Sequence, residues 1–369
     1  ANNYFLFDQE HHNYGGMGQS HTTTLYMPSD ITGYSQVLLE VDLECPPGGC
    51  DPWDQPAKFN IIKEGVSYEI ARYITPYGVA CGDWIYDITD FRSLLTDKVE
   101  FQSYVQVWGA SGWLVTIEMT LVPGTPDYPY VKLTRLWNED NWVYGDPGIS
   151  HDFPEKTITI ADETEAMKIR MTMSGHGQGN TLNAAEFAEF THHIWVDDEQ
   201  TFDQHLWKDD CDENSCAPQN GTYLYSRAGW CPGQDVQPWE WWISEFTAGN
   251  EITLDYVLAD YTNLNNTGYN GSTHTEPHFR CHTYLLEYAN DEFVGVDETA
   301  QQSNCEIISV YPNPSSGIIT ITTRENEQLN NISIYGIEGS LVFEDFTSEA
   351  TYQIDLGSLP TGLYLIKIT

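Results

Sequence analysis

The chain has 369 residues, more than one ordinary core holds, so two or three domains are expected. Its 55 acidic against 15 basic side chains give a formal net charge of −40, which excludes nucleic acid and anionic membranes as partners and leaves neutral ones such as glycans or peptides. No stretch reaches the ~20 apolar residues of a membrane span.

Composition points to an all-β protein. There are 29 Gly, 18 Pro, 23 Tyr and 12 Trp, with many short Val/Ile/Thr/Tyr runs and no long amphipathic helical pattern. Eight cysteines without a convincing zinc spacing indicate an oxidising compartment. The chain starts at Ala1 with no visible signal peptide, as a processed secreted protein would.

Residues 1–43 alternate as strands do. His11-His12 lies among polar and glycine residues and is expected in a solvated loop. Then comes Cys45-Pro46-Pro47-Gly48-Gly49-Cys50-Asp51-Pro52-Trp53-Asp54-Gln55, which cannot be helix, because proline removes donors and glycine permits a tight turn. A Cys45–Cys50 bridge is geometrically plausible there and would hold the loop still. Asp54, beside an indole and just before the apolar run Phe59-Asn60-Ile61-Ile62, suits an acid or base aimed into a cleft. The other reading of this stretch is that Asp51 and Asp54 only bond turn amides.

Strands are expected at 59–62 and 68–73. A short helix is expected over Asp87–Leu95, capped by Thr89 or Asp90. Phe101–Trp108 and Trp113–Val122 read as a hairpin around Gly109–Gly112, with Tyr104, Gln106 and Trp108 on one face. Further strands are expected at 156–160, 166–174, 190–196, 223–225 and 251–258. The glycine-rich loop Gly175–Asn180 lacks the context of a phosphate cradle. Glu186 and Glu189, three apart, point to opposite faces of an extended segment, so only one can face a given cleft. The acid-rich loop 209–216 has no EF-hand spacing and reads as solvated rather than calcium-binding. Arg227, one of few bases, is expected to pair with a carboxylate. His274, His278 and His282 recur every four residues, but Pro277 favours loop into strand over a helical metal site. A polar linker follows at 291–304, then a small all-β unit at 305–369.

Up to about residue 290 the chain resembles the bacterial peptide-N-glycosidase F family. The matching pieces run in the family's order: the Cys45 loop ending in Asp54, Arg72-x-Ile74-Thr75-Pro76-Tyr77, Asp87-x-Thr89-Asp90-Phe91, Gly124-Thr125-Pro126-Asp127-Tyr128, Ala185-Glu186, Thr191-His192, Thr201-Phe202 and Arg227-Ala228-Gly229-Trp230-Cys231-Pro232-Gly233. The resemblance implies two consecutive eight-stranded antiparallel jelly-roll sandwiches, over residues 1–135 and 136–290, with the site in the cleft between them. It implies hydrolysis of the amide joining N-acetylglucosamine to asparagine, with no cofactor or metal, on N-glycopeptides and N-glycoproteins. It places the catalytic acids at Asp54 and Glu186, and substrate contacts at Trp108, Arg227 and Trp230. It suggests the disulfides Cys45–Cys50 and Cys211–Cys231, with Cys216 competing for the second. In this scheme Asp54 handles the proton, Glu186 holds or activates water, Arg227 pairs with a carboxylate or orients substrate, and Trp108 and Trp230 stack on sugars.

Departures from the family pattern fall at substrate-contacting positions. Gln55 replaces an arginine, Gln106 an acid, His176 a tryptophan and Gln178 a histidine. They imply altered glycan specificity, including tolerance of core fucose. Two other readings are a glycan-binding protein with a decayed site, and a copper monooxygenase on the same two-sandwich architecture, for which His192-His193 is present but no His-x-His. The tail from Val310-Tyr311-Pro312-Asn313-Pro314 onward is similar to type IX secretion sorting domains. That implies export through the periplasm of a Gram-negative bacterium by the type IX machinery, to the cell surface or the medium; separately, the chain is expected to be a monomer.

Overall fold

The computed structural model describes residues 2–146, 148, 152–179, 181–263 and 276–294, and in the tail 308–311, 315, 317–323, 331–336, 340–347, 351–357, 359–360 and 362–368. The linker 295–304, His274, Cys305 and Pro312-Asn313-Pro314 lie outside the described residues. The chain divides into two compact units, Ala1–Val296 and Asp297–Thr369.

The first sandwich of the larger unit contains β1 (Asn2–His12), β2 (Ser20–Tyr26), β3 (Tyr34–Glu44), β4 (Pro56–Lys63), β5 (Val66–Ile74), β6 (Cys81–Asp87), β7 (Lys98–Val105) and β8 (Trp113–Pro123). They form two four-stranded antiparallel sheets, ordered β1-β8-β3-β6 and β2-β7-β4-β5. Alternate residues of β3, β7 and β8 point inward, so Leu39, Val41, Phe101, Val115 and Ile117 are fully buried. Phe59 stacks on Phe101 between them.

β7 and β8 are therefore not the hairpin expected from sequence: they belong to opposite sheets. Alternation marks which face is buried but not which strand pairs with which. The backbone of the intervening turn bonds to neighbouring loops instead: Gly109 O accepts from Tyr14 N at 3.0 Å and Gly112 O from Asp51 N at 3.1 Å. Gly112 has φ +72, and a Cβ there would lie 1.9 Å from the carbonyl oxygen of His12, so only glycine closes this turn. His12 itself corrects the expectation of a solvated loop. It ends β1 fully buried, with its Nε2 3.1 Å from Ser103 Oγ.

The second sandwich contains β9 (Tyr130–Val143), β10 (Lys156–Thr159), β11 (Ala166–His176), β12 (Phe190–Val196), β13 (Glu199–Leu206), β14 (Trp239–Ile243), β15 (Glu251–Val257) and β16 (His278–Ala289). Its sheets run β10-β15-β12-β13 and β14-β11-β16-β9. Met167, Ile169, Met171, Ile194, Leu254 and Leu285 fill its core. Residues 223–225, read as a strand from sequence, form a turn in a long loop. Their Tyr-rich composition is a β signal, but the chain there bends to wrap Arg227.

Burial along β5, β11 and β16 is nearly continuous, because these strands face a core on one side and the partner sandwich on the other. Tyr284 and Tyr288 of β16 pack into the first sandwich's core cluster. The 3-10 helix Thr89–Leu94 lies at this junction. Neither Thr89 nor Asp90 caps it: the first helical amide, Thr89 N, donates to Asp87 Oδ1 at 2.9 Å. Asp90 instead receives Arg170 at 2.8 Å, Lys168 at 3.0 Å and the Tyr288 hydroxyl at 2.6 Å. Burial raises its carboxyl, but these two cations more than offset that and hold it below the usual range.

In the smaller unit β17 (Ile308–Tyr311), β18 (Ile318–Thr323) and β21 (Thr351–Asp355) form one sheet. β19 (Asn331–Gly336), β20 (Leu341–Phe346) and β22 (Tyr364–Ile368) form another. Ile319, Ile321, Ile332, Ile334 and Ile354 make its core. Among the described residues no helix is long and apolar enough to cross a membrane.

Candidate active site

Loops at one end of the first sandwich meet loops of the second. The β3–β4 loop carries the Cys45–Cys50 bridge and then Asp54. Its end is fastened to the segment after β5: Thr75 Oγ1 donates to Trp53 O at 2.8 Å and accepts from Gln55 N at 2.8 Å, and Thr75 N donates to Gln55 O at 2.9 Å. The two readings of this loop divide between its two acids. Asp51 accepts from the Trp53 amide, as a turn aspartate does. Asp54 does not. Its Oδ2 accepts from the Tyr77 hydroxyl at 2.7 Å and lies 3.5 Å from Arg227 Nη2.

Glu186 comes from the loop between β11 and β12. Its backbone is tied on both sides: Glu186 N donates to Gly177 O at 3.0 Å and Glu186 O accepts from Ala228 N at 2.8 Å. Of the two acids in this segment it is Glu186 that faces Arg227, while Glu189 pairs with His205 at 3.3 Å.

Arg227 joins the two halves. It is fully buried and donates from Nε to Glu186 Oε1 at 3.2 Å, from Nη1 to Tyr225 O at 2.7 Å and from Nη2 to Thr222 O at 2.9 Å. Its guanidinium lies over the ring of Trp230, 4.8 Å from the centroid, and over that of Phe187 at 5.1 Å. Lys208 and Arg227 exchange backbone hydrogen bonds, and Cys211–Cys231 closes the loop beneath. Gly229 has φ +81, and a Cβ there would sit 2.9 Å from Met173 O, so the turn from Arg227 to Trp230 needs glycine.

The side chains of Asp54 and Glu186 keep only 14% and 16% of their surface exposed. Burial pushes the Asp54 carboxyl up, opposed by the Tyr77 hydroxyl and Arg227. Burial also pushes Glu186 up, to about 7, with Arg227 opposing and the Asp54 charge adding. Two neighbouring buried carboxyls, both raised by burial and both opposed by Arg227, have the environment in which acid–base pairs are found. The raised Glu186 also makes stability depend on pH. The folded value lies above the unfolded one, so Glu186's contribution is fully present below about 4.5 and is lost as pH rises through about 7. The loss amounts to roughly 3 kcal/mol at the alkaline end. Glu186→Gln should therefore flatten the fall of unfolding free energy between roughly pH 5 and 8, as read by urea titration at several pH values.

The remaining sequence candidates are placed as follows. Trp108 is 56% exposed beyond the end of β7, with Tyr14 against it at 5.5 Å, so it is free to meet a ligand. Gln55 lies behind Asp54, in the backbone pairing with Thr75. Gln106 accepts from Arg280 across the sandwich junction. His176 is buried, 2.8 Å from Ser174 Oγ, with its ring stacked on Trp230. Burial and the cations around it hold it well below the usual histidine range. Trp230 corrects the expectation of a sugar-stacking ring. It is 2% exposed, and its indole N–H donates to Gly175 O at 2.6 Å. It supports Arg227 from below and offers no face to a ligand.

Tyr77 was missed as a site residue. Its signal was present in the Thr75-Pro76-Tyr77-Gly78 turn, directly after β5. A third disulfide, Cys81–Cys216, also joins the sandwiches, and Cys281 is buried and free. The copper reading fails on geometry. His192 is fully buried and accepts from Ala259 N, whereas His193 turns to Asp203 on the other face of β12. Loop 209–216 contributes to no converging set of metal-binding groups among the described residues.

Fold and site together define an all-β, two-sandwich protein in which two buried carboxyls and an arginine meet at the sandwich junction. Residues 147–276 match the family described as peptide-N-glycosidase F, C terminal, and residues 309–369 match the secretion system C-terminal sorting domain. The chain is 32% identical over 280 residues to the peptide-N(4)-(N-acetyl-beta-D-glucosaminyl)asparagine amidase F of Elizabethkingia miricola, covering 71% of this chain and 78% of the relative. Its structure is similar to that of PNGase F, a glycosylasparaginase from Flavobacterium meningosepticum, with TM-score 0.72 and 28% identity over 79% of this chain and 97% of that one. PNGF-II shares the fold at TM-score 0.60 and 15% identity, over 79% of this chain and 66% of that one. The chain belongs to the peptide-N-glycosidase F family and carries a type IX sorting domain at its C-terminal end.

Proposed function

We infer that this protein hydrolyses the amide between N-acetylglucosamine and the asparagine side chain of N-glycoproteins and N-glycopeptides. Water adds to the side-chain carbonyl carbon, the carbon–nitrogen bond breaks, and the products are aspartate in the polypeptide and a glycosylamine. The observation that carries this reading is the buried Asp54–Arg227–Glu186 bridge, with one acid from each sandwich. Asp54, whose charged form Tyr77 and Arg227 favour against burial, takes the proton of the attacking water and delivers it to the departing nitrogen. Glu186 holds that water once it is ionised. Trp108 offers its exposed ring to a sugar face. Both acids and their cation come from one chain, which supports a monomer as the working unit.

Tolerance of core fucose is supported by the neutral Gln106, held by Arg280, and by His176, turned into the stack with Trp230. The sorting domain supports export by type IX machinery through the periplasm of a Gram-negative bacterium, to the cell surface or the medium. Mass spectrometry of glycopeptides with and without core fucose tests the reading. Both are expected to lose the glycan and gain about one mass unit at the former attachment site, as asparagine becomes aspartate. Saturable binding without that change would instead select the glycan-binding reading.

A further inference from the structure

Two chain segments, one from each sandwich, run side by side into the reaction centre. The first is residues 75–81, between β5 and the start of β6. The second is an arm, residues 216–227, that contains no strand or helix. Their outer ends are joined covalently by Cys81–Cys216, with Cα atoms 5.5 Å apart. Next come hydrogen bonds: Gln219 Oε1 accepts from Tyr77 N at 2.9 Å, Asn220 N donates to Tyr77 O at 3.1 Å and Asn220 Nδ2 donates to Gly78 O at 3.3 Å. At the inner end the Tyr77 hydroxyl donates to Asp54 and lies 3.3 Å from Thr222 Oγ1. There the carbonyls of Thr222 and Tyr225 accept from the Arg227 guanidinium.

The covalent end is closely backed. Gly233 has φ +74, and a Cβ on it would lie 2.9 Å from Gln219 Nε2, 3.0 Å from Pro76 Cβ and 3.1 Å from Cys216 Cβ. The disulfide also borders an open cleft of about 470 Å³, lined by Asp42, Glu44 and Asp83 among others, so the arm is not sealed in at this end. Along the arm Asn220, Gly221, Thr222, Leu224 and Tyr225 are exposed. Water can take over hydrogen bonds made by such a loop, but it cannot replace a disulfide.

We propose that Cys81–Cys216 is a positioning cross-link for the reaction: it fixes where the arm lies against Tyr77 and, through the carbonyls of Thr222 and Tyr225, fixes the Arg227 guanidinium between Asp54 and Glu186. The proposal rests on the functional reading above. Cys45–Cys50 closes a loop within the first sandwich, and Cys211–Cys231 closes one within the second. Among the described residues Cys81–Cys216 is the disulfide that crosses between them. Arg227 opposes the effect of burial at both carboxyls. An arm free to lift would carry the guanidinium away from them, and both would titrate higher. Small displacements of a catalytic constellation cost large factors in rate.

The test compares Cys81→Ser/Cys216→Ser protein with wild type by glycopeptide hydrolysis across pH, with thermal unfolding alongside. In the variant kcat at neutral pH should fall roughly ten-fold while KM changes less than about two-fold. The acid limb of the kcat profile should move to higher pH by roughly one unit. A cross-link that only stabilises the fold would lower Tm and leave kcat and that limb unchanged. That result overturns the inference, and so does a fall in kcat with the limb unmoved. Where the variant does not fold, native wild-type protein is treated with dithiothreitol, alkylated at intervals and analysed by mass spectrometry to read which disulfide has opened. Activity should disappear as Cys81–Cys216 opens; activity that survives its opening overturns the inference. In each of these overturning results wild-type turnover leaves the amidase reading intact. Absence of turnover by untreated wild-type protein overturns both.

Discussion

Asp54→Asn should abolish deglycosylation by about three orders of magnitude while leaving the protein folded. The substitution preserves shape, and the asparagine carbonyl still accepts from the Tyr77 hydroxyl. It also removes a carboxylate whose burial disfavours the charge, so the melting temperature should hold or rise slightly. What is lost, in the proposed mechanism, is the group that takes and returns the proton. A second consequence follows from coupling. The Asp54 charge helps to push Glu186 up to about 7. In the variant Glu186 should titrate lower, so the acid limb of the residual pH–rate profile should move to lower pH. Single-turnover hydrolysis of a glycopeptide across pH, with thermal unfolding alongside, reads all three effects. Retention of wild-type rates would remove Asp54 from the chemistry.

Arg227→Ala should damage both activity and stability. The guanidinium is fully buried and lowers both carboxyls while donating to two loop carbonyls. Its removal leaves two buried acids without a cation and two carbonyls without donors. Loss of one partner from a buried ion pair costs about 3–5 kcal/mol, a fall of roughly 10 °C in Tm for a unit of this size. Both acids should then titrate higher, so that activity at neutral pH falls by more than about a hundred-fold. Part of that loss should return as pH is raised. Arg227→Lys should not rescue it, because an ammonium cannot donate along three separate directions in one plane. Urea titration and pH–rate profiles of the two variants decide the point.

Legibility from sequence followed the range of the interactions. Asp54 and Arg227 stood out as candidates because each sits in a short run whose local chemistry is distinctive, a bridged Pro-Gly loop and a base before Ala-Gly-Trp-Cys, whereas Glu186 was separated from Glu189 only by the family resemblance. The two sandwiches were legible as an architecture through resemblance, and the individual strands through alternation. What stayed hidden depends on contacts far apart in the chain. Nothing in Trp113–Val122 says that its partners are β1 and β3 and not β7. Nothing local distinguishes Trp230, sealed under Arg227, from Trp108, open to water. Cys81 and Cys216 are 135 residues apart, and only the folded chain brings them together. His12 looked solvated because its sequence neighbours are polar, yet its environment is made by Ser103 and Gln19.

The charges buried where the sandwiches meet have a bearing on how the molecule can be assembled. Asp90 belongs to one sandwich, while the lysine and arginine that neutralise it belong to the other. Arg72, paired with Glu69 in its own strand, also donates to Ser174 and to the carbonyl of Arg280 across the junction. Severed, each piece would expose ionised groups set in an oily surface that no longer has its complement. The junction thus acts as a shared interior and not as a hinge. The pair condenses together as one cooperative body, and the Asp54–Arg227–Glu186 bridge it carries is cast in place at folding instead of being shaped by jaws that close on a guest.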